Sequence, residues 1–391
     1  MSEVDDGVLA ARLLLSWVRE PGSKALYELV RRFGPVEAWQ RIASGRVDGP
    51  LAQSMAARLH GKEPARVVAS LLRDADRLGV TILVPESPQW PSALDDLVRI
   101  SVEGGDSLER DTFPPHALWV RGALPVETLR QRSVAVVGAR ASTEYGRHMA
   151  CELAFGLAQR GWIVVSGGAF GVDAAAHRGA MAAGGETISV LASGVDRAYP
   201  VGNTAMFEHI VGTGLLISEW PPGSEPHRVR FLIRNRVIAA LSHGTILVEA
   251  ALRSGARQTL RRARQLGRIT MAVPGPATSE SSQGCHEELR REGDDRVRLV
   301  STTEQVLEEI GMIGQDLAIV PHGPVGPLDL LSTLEKQIYD ATPRAGGVTP
   351  QQIAATVSLP VTYVLAALPG LETRGYVKRG KDGTYRLTLK T

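Results

Sequence analysis

Three observations predict an α/β chain built on a doubly wound, mostly parallel sheet with helical flanks. Short β-branched runs recur between residues 80 and 275, and helix-length segments separate the later ones. Two of the runs end in glycine turns that open alanine-rich or amphipathic helices, in VAVVGAR (134–140) and SGGAFGVDAAAH (166–177). Upstream of 80 and downstream of 328 the periodicity is helical instead.

Taken in order, residues 8–80 read as short helices, VLAARLLLSWV, ALYELVRRFG, VEAWQRIASG and ARVVASLLRDADRLG, punctuated by Gly22, Gly34, Gly45 and Gly61. A small helical domain over 1–79, similar to helix-hairpin pieces, is the expectation. The strand candidates follow: VTILV (80–84), ALWVRG (117–122), VAVVG (134–138), WIVVSG (162–167), TISVLASG (187–194), GLLISE (214–219), GTILVEA (244–250) and ITMAVPG (269–275). VEGGDSLERDT (102–112) lacks apolar periodicity and reads as a surface insertion. The core is expected to end near 318, with 319–328 as a linker marked by HGPVGP. Beyond it, EKQIYDAT, TPQQIAATVSL and VTYVLAALPGLETRGY read as three helices, then YVKRG and TYRLTL as two strands across a KDG turn. Three helices and a two-stranded wing make a winged helix over 329–391, a fold used for duplex DNA and for protein docking alike. Pro369 and Gly370 predict that its third helix ends early.

Composition bounds the function. Hydrophobic residues make up 43% and charged residues 22% of the 391, the profile of a globular protein with more than one domain. The net charge is only +2 despite 44 Lys and Arg, so a nucleic-acid surface has to be local. Cys151 and Cys285 form neither a disulfide framework nor a thiolate metal spacing, which fits a reducing compartment. The acidic N-terminus and the lack of an apolar run near the roughly 18 residues that span a bilayer point to a cytoplasmic protein. No metal, cofactor or catalytic set is expected.

Chemistry concentrates in three segments. In VAVVGARASTEYGR the chain turns at Gly138, where a missing Cβ permits close approach of a ligand, and Arg140 offers a bidentate phosphate contact. Thr143 is placed to cap the next helix, with Tyr145 and Gly146 in its first turn. Ser166, Gly167, Gly168 and Gly171 form an anion nest ahead of a helix carrying Asp173 and His177 on one face, read as a structural hydrogen-bonded pair. In EPHRVRFLIRNRVIAALS, Arg228, Arg230, Arg234 and Arg236 surround Phe231 and Asn235, so that cations follow phosphates while the ring stacks on a base.

The order GxRxxTxYG (138–146), SGxAxGVDxxAH (166–177), TISVLASGVDRAYP (187–200), ISEWPPG (217–223), FxxRNRxIAxLS (231–242), VEAxxxSG (248–255) and AVPG (272–275) resembles the DprA/Smf family of bacterial DNA-processing proteins. The resemblance runs from about 80 to 300. It implies a Rossmann-like core that binds and protects single-stranded DNA, helps load RecA recombinase in natural transformation, and forms a homodimer. The family's contacts fall on Gly138, Arg140, Ser166, Gly167, Arg228 and Phe231; the residue chemistry extends them to Arg234, Asn235 and Arg236. Two stretches depart from the family pattern, SGARQTL at 254–260 and GCHEELRREGDD at 284–295. An alternative is a nucleotide phosphoribohydrolase using Glu249, although SHGTILVEA lacks that group's PGGxGT turn. A nucleotide-sensing regulator with a duplex-binding winged helix around Lys378, Arg379 and Lys381 is a third reading.

Overall fold

The computed structural model describes residues 4–47, 50–100, 112–293, 296–311, 328 and 331–388, and they fall into two units, Met1–Ala318 and Ile319–Thr391. All eight expected strands of the first unit are present. They are β1 (Thr81–Leu83), β2 (Leu118–Gly122), β3 (Ser133–Val137), β4 (Ile163–Ser166), β5 (Thr187–Leu191), β6 (Leu215–Ser218), β7 (Gly244–Leu247) and β8 (Ile269–Ala272). A two-residue β9 (Arg298–Leu299) joins them in the order β1-β2-β6-β5-β4-β3-β7-β8-β9. Strands β6 through β9 in that order are parallel throughout, while β1 and β2 extend the sheet antiparallel. Strand order reverses at β3, with β4 on one side and β7 on the other, so the crevice beyond their carboxyl ends is the place where such sheets hold ligands.

Alternation along β3 assigns the two layers. Val134 and Val136 pack with α5 (Glu144–Gln159), α6 (Val172–Ala182) and α11 (Thr303–Ile310), whereas Ala135 and Val137 face the other cluster, which holds α8 (Arg228–Leu241) and α9 (Ala256–Gln265). Burial on both sides explains why the strands read as continuous apolar runs.

The N-terminal helices are α1 (Asp6–Val18), α2 (Lys24–Ala43), α3 (Pro50–Leu59) and α4 (Pro64–Leu78). Helix α1 begins where the Asp5 carboxylate accepts from the N–H groups of Gly7 and Val8. The two segments expected on either side of Gly34 form one kinked helix, bent at that residue with φ 75°. Leu15, Val18, Leu26, Val30, Ala38 and Ile42 make a small core of their own. Leu13, Leu71 and Ala75 instead join Trp119, Phe207 and Leu216 of the sheet layer, which ties these helices to the parallel core. Glu20 strengthens the tie by accepting from Trp220, Arg230 and Arg58.

Residues 102–111 of the expected insertion and the whole HGPVGP stretch lie outside the described residues; Thr112 is buried. The second unit contains α12 (Thr333–Asp340), α13 (Pro350–Val357), α14 (Val361–Thr373) and an antiparallel pair, β10 (Val377–Arg379) with β11 (Tyr385–Leu387). Capping boxes at Ser332 and Thr349 start the first two helices. The expected early stop at Pro369 is not observed, since α14 continues to Thr373. Thr373 Oγ1 donates to the Pro369 carbonyl and Arg374 Nε to that of Gly370, so the last turn is closed by side chains.

Candidate single-strand nucleic-acid interface

A cleft of about 380 Å³ opens at the sheet's reversal point, lined by Gly138 and Arg140 after β3, Ala169 and Asp173 at the start of α6, Phe231, Arg234, Asn235 and Ile238 of α8, and Ser254, Thr259 and Ser281. At its rim the exposed Arg140 guanidinium lies 4.5 Å from the centroid of the half-buried Phe231 ring. This cation–π contact holds charge and ring together while leaving the guanidinium's N–H groups for an anion. Arg228 is exposed at the first residue of α8, one turn before Phe231. Arg140, Phe231 and Arg228 therefore keep the exposure a ligand contact needs.

Arg234 serves differently. It is 4% exposed and donates to the carbonyls of Gly167 and Val190, with its centre 6.0 Å from the Phe231 centroid. Burial lowers its pKa to about 10, Asp173 opposing that shift, so it remains a cation directly beneath the glycine loop. Asn235 also lines the cleft, donating to the Gly255 carbonyl at 3.4 Å.

Several of the expected contact residues have partners inside the protein. Arg236 points away from the cleft and is sealed in a 2.6 Å ion pair with Glu219, both side chains 1% exposed. Ser166 is wholly buried and its hydroxyl donates to the Val136 carbonyl, so it has no proton to offer a phosphate. Arg230 is committed to Glu20. Tyr145 donates to the Pro274 carbonyl at 2.5 Å and fastens the α5 N-terminus to the turn after β8.

The glycines likewise fit protein against protein. A Cβ at Gly138 would stand 2.6 Å from Val172 and one at Gly146 2.2 Å from the Glu249 carboxylate. At Gly167 it would strike the Arg234 guanidinium, and Gly168 adds φ +68° with Phe207 at 2.5 Å.

An internal carboxylate lies at each of the two turns expected to cradle phosphate, at the N-cap of α5 and against the loop before α6. Glu249, 2% exposed, accepts from the Thr143 N–H and hydroxyl and from the Ser281 hydroxyl, at 2.8, 2.8 and 2.7 Å. Thr143 then caps α5 as expected, accepting from Gly146. Asp173 accepts from the Ala169 N–H at the start of α6, and burial raises its pKa while Arg234 opposes that shift. Asp173 and His177 have separate partners instead of one another: the Thr187 hydroxyl gives its proton to the Val164 carbonyl and receives one from His177 Nδ1.

His177 and His116 are enclosed, and burial holds each at about 3, with Arg234 adding to the effect at His177 and Arg12 and Arg236 at His116. Below the ordinary histidine value of about 6.5 the unfolded chain takes up protons that the native chain refuses. Stability is therefore expected to fall as pH drops from about 6.5 toward 3, by a few kcal/mol per histidine at order of magnitude. Melting temperature against pH should show that slope, and His116→Gln should flatten it.

The two stretches that depart from the family pattern meet at one residue. Glu288 of α10 (Gln283–Leu289) is 4% exposed and accepts from Arg257 at 2.7 Å, Arg264 at 3.2 Å and Arg291 at 2.6 Å. Burial pushes its carboxyl up, but the hydrogen bonds from these arginines outweigh it and hold the pKa low. The charge that Arg257 adds within 254–260 is thus answered by Glu288 within 284–295.

Comparison with known proteins follows the same outline. A family described as DNA recombination-mediator protein A matches residues 81–311. The chain is 41% identical to a putative DNA processing protein DprA of Mycobacterium tuberculosis over 98% of its own length and 95% of the relative's. It is 32% identical to the Bacillus subtilis DNA processing protein DprA, covering 68% of this chain and 81% of that protein. The crystal structure of Streptococcus pneumoniae DNA processing protein A superposes with a TM-score of 0.62 at 26% identity, covering 79% of this chain and all of that one. On the match to more than half its residues and on the relative of 41% identity over nearly the full length of both chains, the chain belongs to the DNA recombination-mediator protein A family, DprA/Smf.

Proposed function

We propose that this protein binds and protects single-stranded DNA at the cleft rim and delivers it to RecA recombinase, as in natural transformation and recombination. The observation that carries the reading is the exposed Arg140 guanidinium stacked on Phe231 at the sheet's reversal point. Phosphate charge meets Arg140 and Arg228 while a base finds the phenyl face, the combination that sequence-tolerant single-strand binders use. Membership of a recombination-mediator family supports the partner. The enzymatic alternative needs a free carboxylate, and Glu249 is taken by three internal donors.

Homodimerisation through the core and a cytoplasmic location belong to the same proposal; among the described residues no single helix is long and apolar enough to cross a membrane. The C-terminal unit is read as a winged helix. Its third helix, Val361–Thr373, carries no Lys or Arg, while Tyr363 and Leu365 are 57% and 48% exposed. A protein-docking role fits that face better than insertion into a duplex groove.

The delivery step is tested by RecA filament assembly on single strands precoated with a single-strand-binding protein. Wild type should accelerate assembly and Arg140→Ala should not. Equal rates with and without the wild-type protein would remove RecA loading from the account.

A further inference from the structure

We propose that Tyr199 and Phe170 are two further base-stacking positions, so that three rings, Phe231, Tyr199 and Phe170, line the rim and receive bases of one strand. The inference deepens the single-strand reading and rests on it. Large apolar side chains are exposed here in unusual density: Phe170 is 49% exposed, Tyr199 43% and Val201 75%. The Tyr199 and Phe231 centroids are 5.7 Å apart with planes inclined at 49°. Phe170 lies over Gly202, where an added Cβ would come within 3.0 Å of its ring edge.

Hydrogen bonds make the rings one surface. The Asn203 amide donates to the carbonyls of Gly168 and Ala169 at 3.0 and 3.3 Å, fixing the Tyr199 segment to the loop that carries Phe170. On the loop's other side the Val172 N–H donates to the Ala139 carbonyl, and a Cβ at Gly171 would stand 2.3 Å from that same oxygen. The loop that carries Phe170 is thereby held against the backbone of Ala139 and Arg140, and the Arg140 side chain covers Phe231.

Ring geometry defines the ligand. Neighbouring bases of a duplex strand rise only about 3.4 Å and lie parallel. Faces inclined at 49° take bases that are not parallel to each other, which a single strand allows and a duplex does not. An apolar partner protein would use the same exposed area, but Arg140 and the exposed Arg228 alongside favour a ligand that combines π-faces with negative charge.

The test is anisotropy titration of the full chain with labelled oligo-dT and with an oligomer of equal length whose sugars lack bases. Tyr199→Ala and Phe170→Ala are expected to weaken oligo-dT binding roughly 5- to 150-fold each while leaving the abasic oligomer unchanged, and Tyr199→Trp to retain affinity. Equal weakening toward both oligomers would make the rings scaffold and overturn the proposal. Wild-type affinity for oligo-dT in both alanine variants, alongside a loss in Phe231→Ala, would overturn it while sparing the single-strand reading. No wild-type binding to oligo-dT would remove both.

Discussion

Arg236→Ala is expected to destabilise the protein by about 3–5 kcal/mol while leaving the cleft rim intact. The guanidinium is paired with Glu219 inside the first unit, and each side chain is 1% exposed. Removing the arginine strands a carboxylate that burial already pushes up, with Glu20 adding to that pressure against the opposing Arg236 charge. The double replacement Arg236→Met with Glu219→Leu should recover most of the loss, because a buried pair exchanged for apolar groups of similar volume is often neutral. Urea midpoints at constant slope would measure both. A mild Arg236→Ala phenotype combined with weakened DNA binding would instead return Arg236 to the interface.

Phe231→Ala is expected to weaken single-strand binding roughly 5- to 150-fold, the effect of losing about 1–3 kcal/mol of stacking. The ring is half-buried, and beyond its neighbours Arg140, Tyr199 and Arg234 it meets the cleft. Its removal also releases the Arg140 guanidinium from a defined position. Competition titrations at matched protein stability would check the figure, and unchanged affinity in a folded variant would mean that the ring serves packing alone.

The sheet was legible because its strands are buried on both faces and therefore appear as uninterrupted β-branched runs ending in glycine. Strand β9, two residues long, left no such trace. The N-terminal glycines were legible as breaks for a physical reason: Gly22, Gly34, Gly45 and Gly61 all take positive φ. What the chain order concealed was direction. Residues of a helix rotate by about 100° each, so Arg234 and Arg236 in one RNR triplet stand roughly 200° apart. One reaches under the glycine loop and the other into Glu219. The segment's composition is uniform; its faces are not.

Distance along the chain concealed the rest. Glu249 reaches the α5 N-terminus from 106 residues away, so a turn with the composition of a phosphate cradle holds a carboxylate of the chain's own. The same holds for Glu288, which answers Arg257 and Arg264 from 31 and 24 residues away. Tyr199 and Phe170 were visible as letters, but only the fold brings Tyr199 against Phe231 and Phe170 over Gly202 of the Tyr199 segment.

The central claim, that Arg140 and Phe231 present a single-strand site, is tested most directly by anisotropy titration of labelled oligo-dT and a matched duplex at two salt concentrations, with wild type and Arg140→Ala. Preference for the single strand, weakening with salt as phosphates release counterions and weakening again in Arg140→Ala, is the predicted result. Equal or tighter duplex binding, or affinity indifferent to salt and to Arg140, would contradict it.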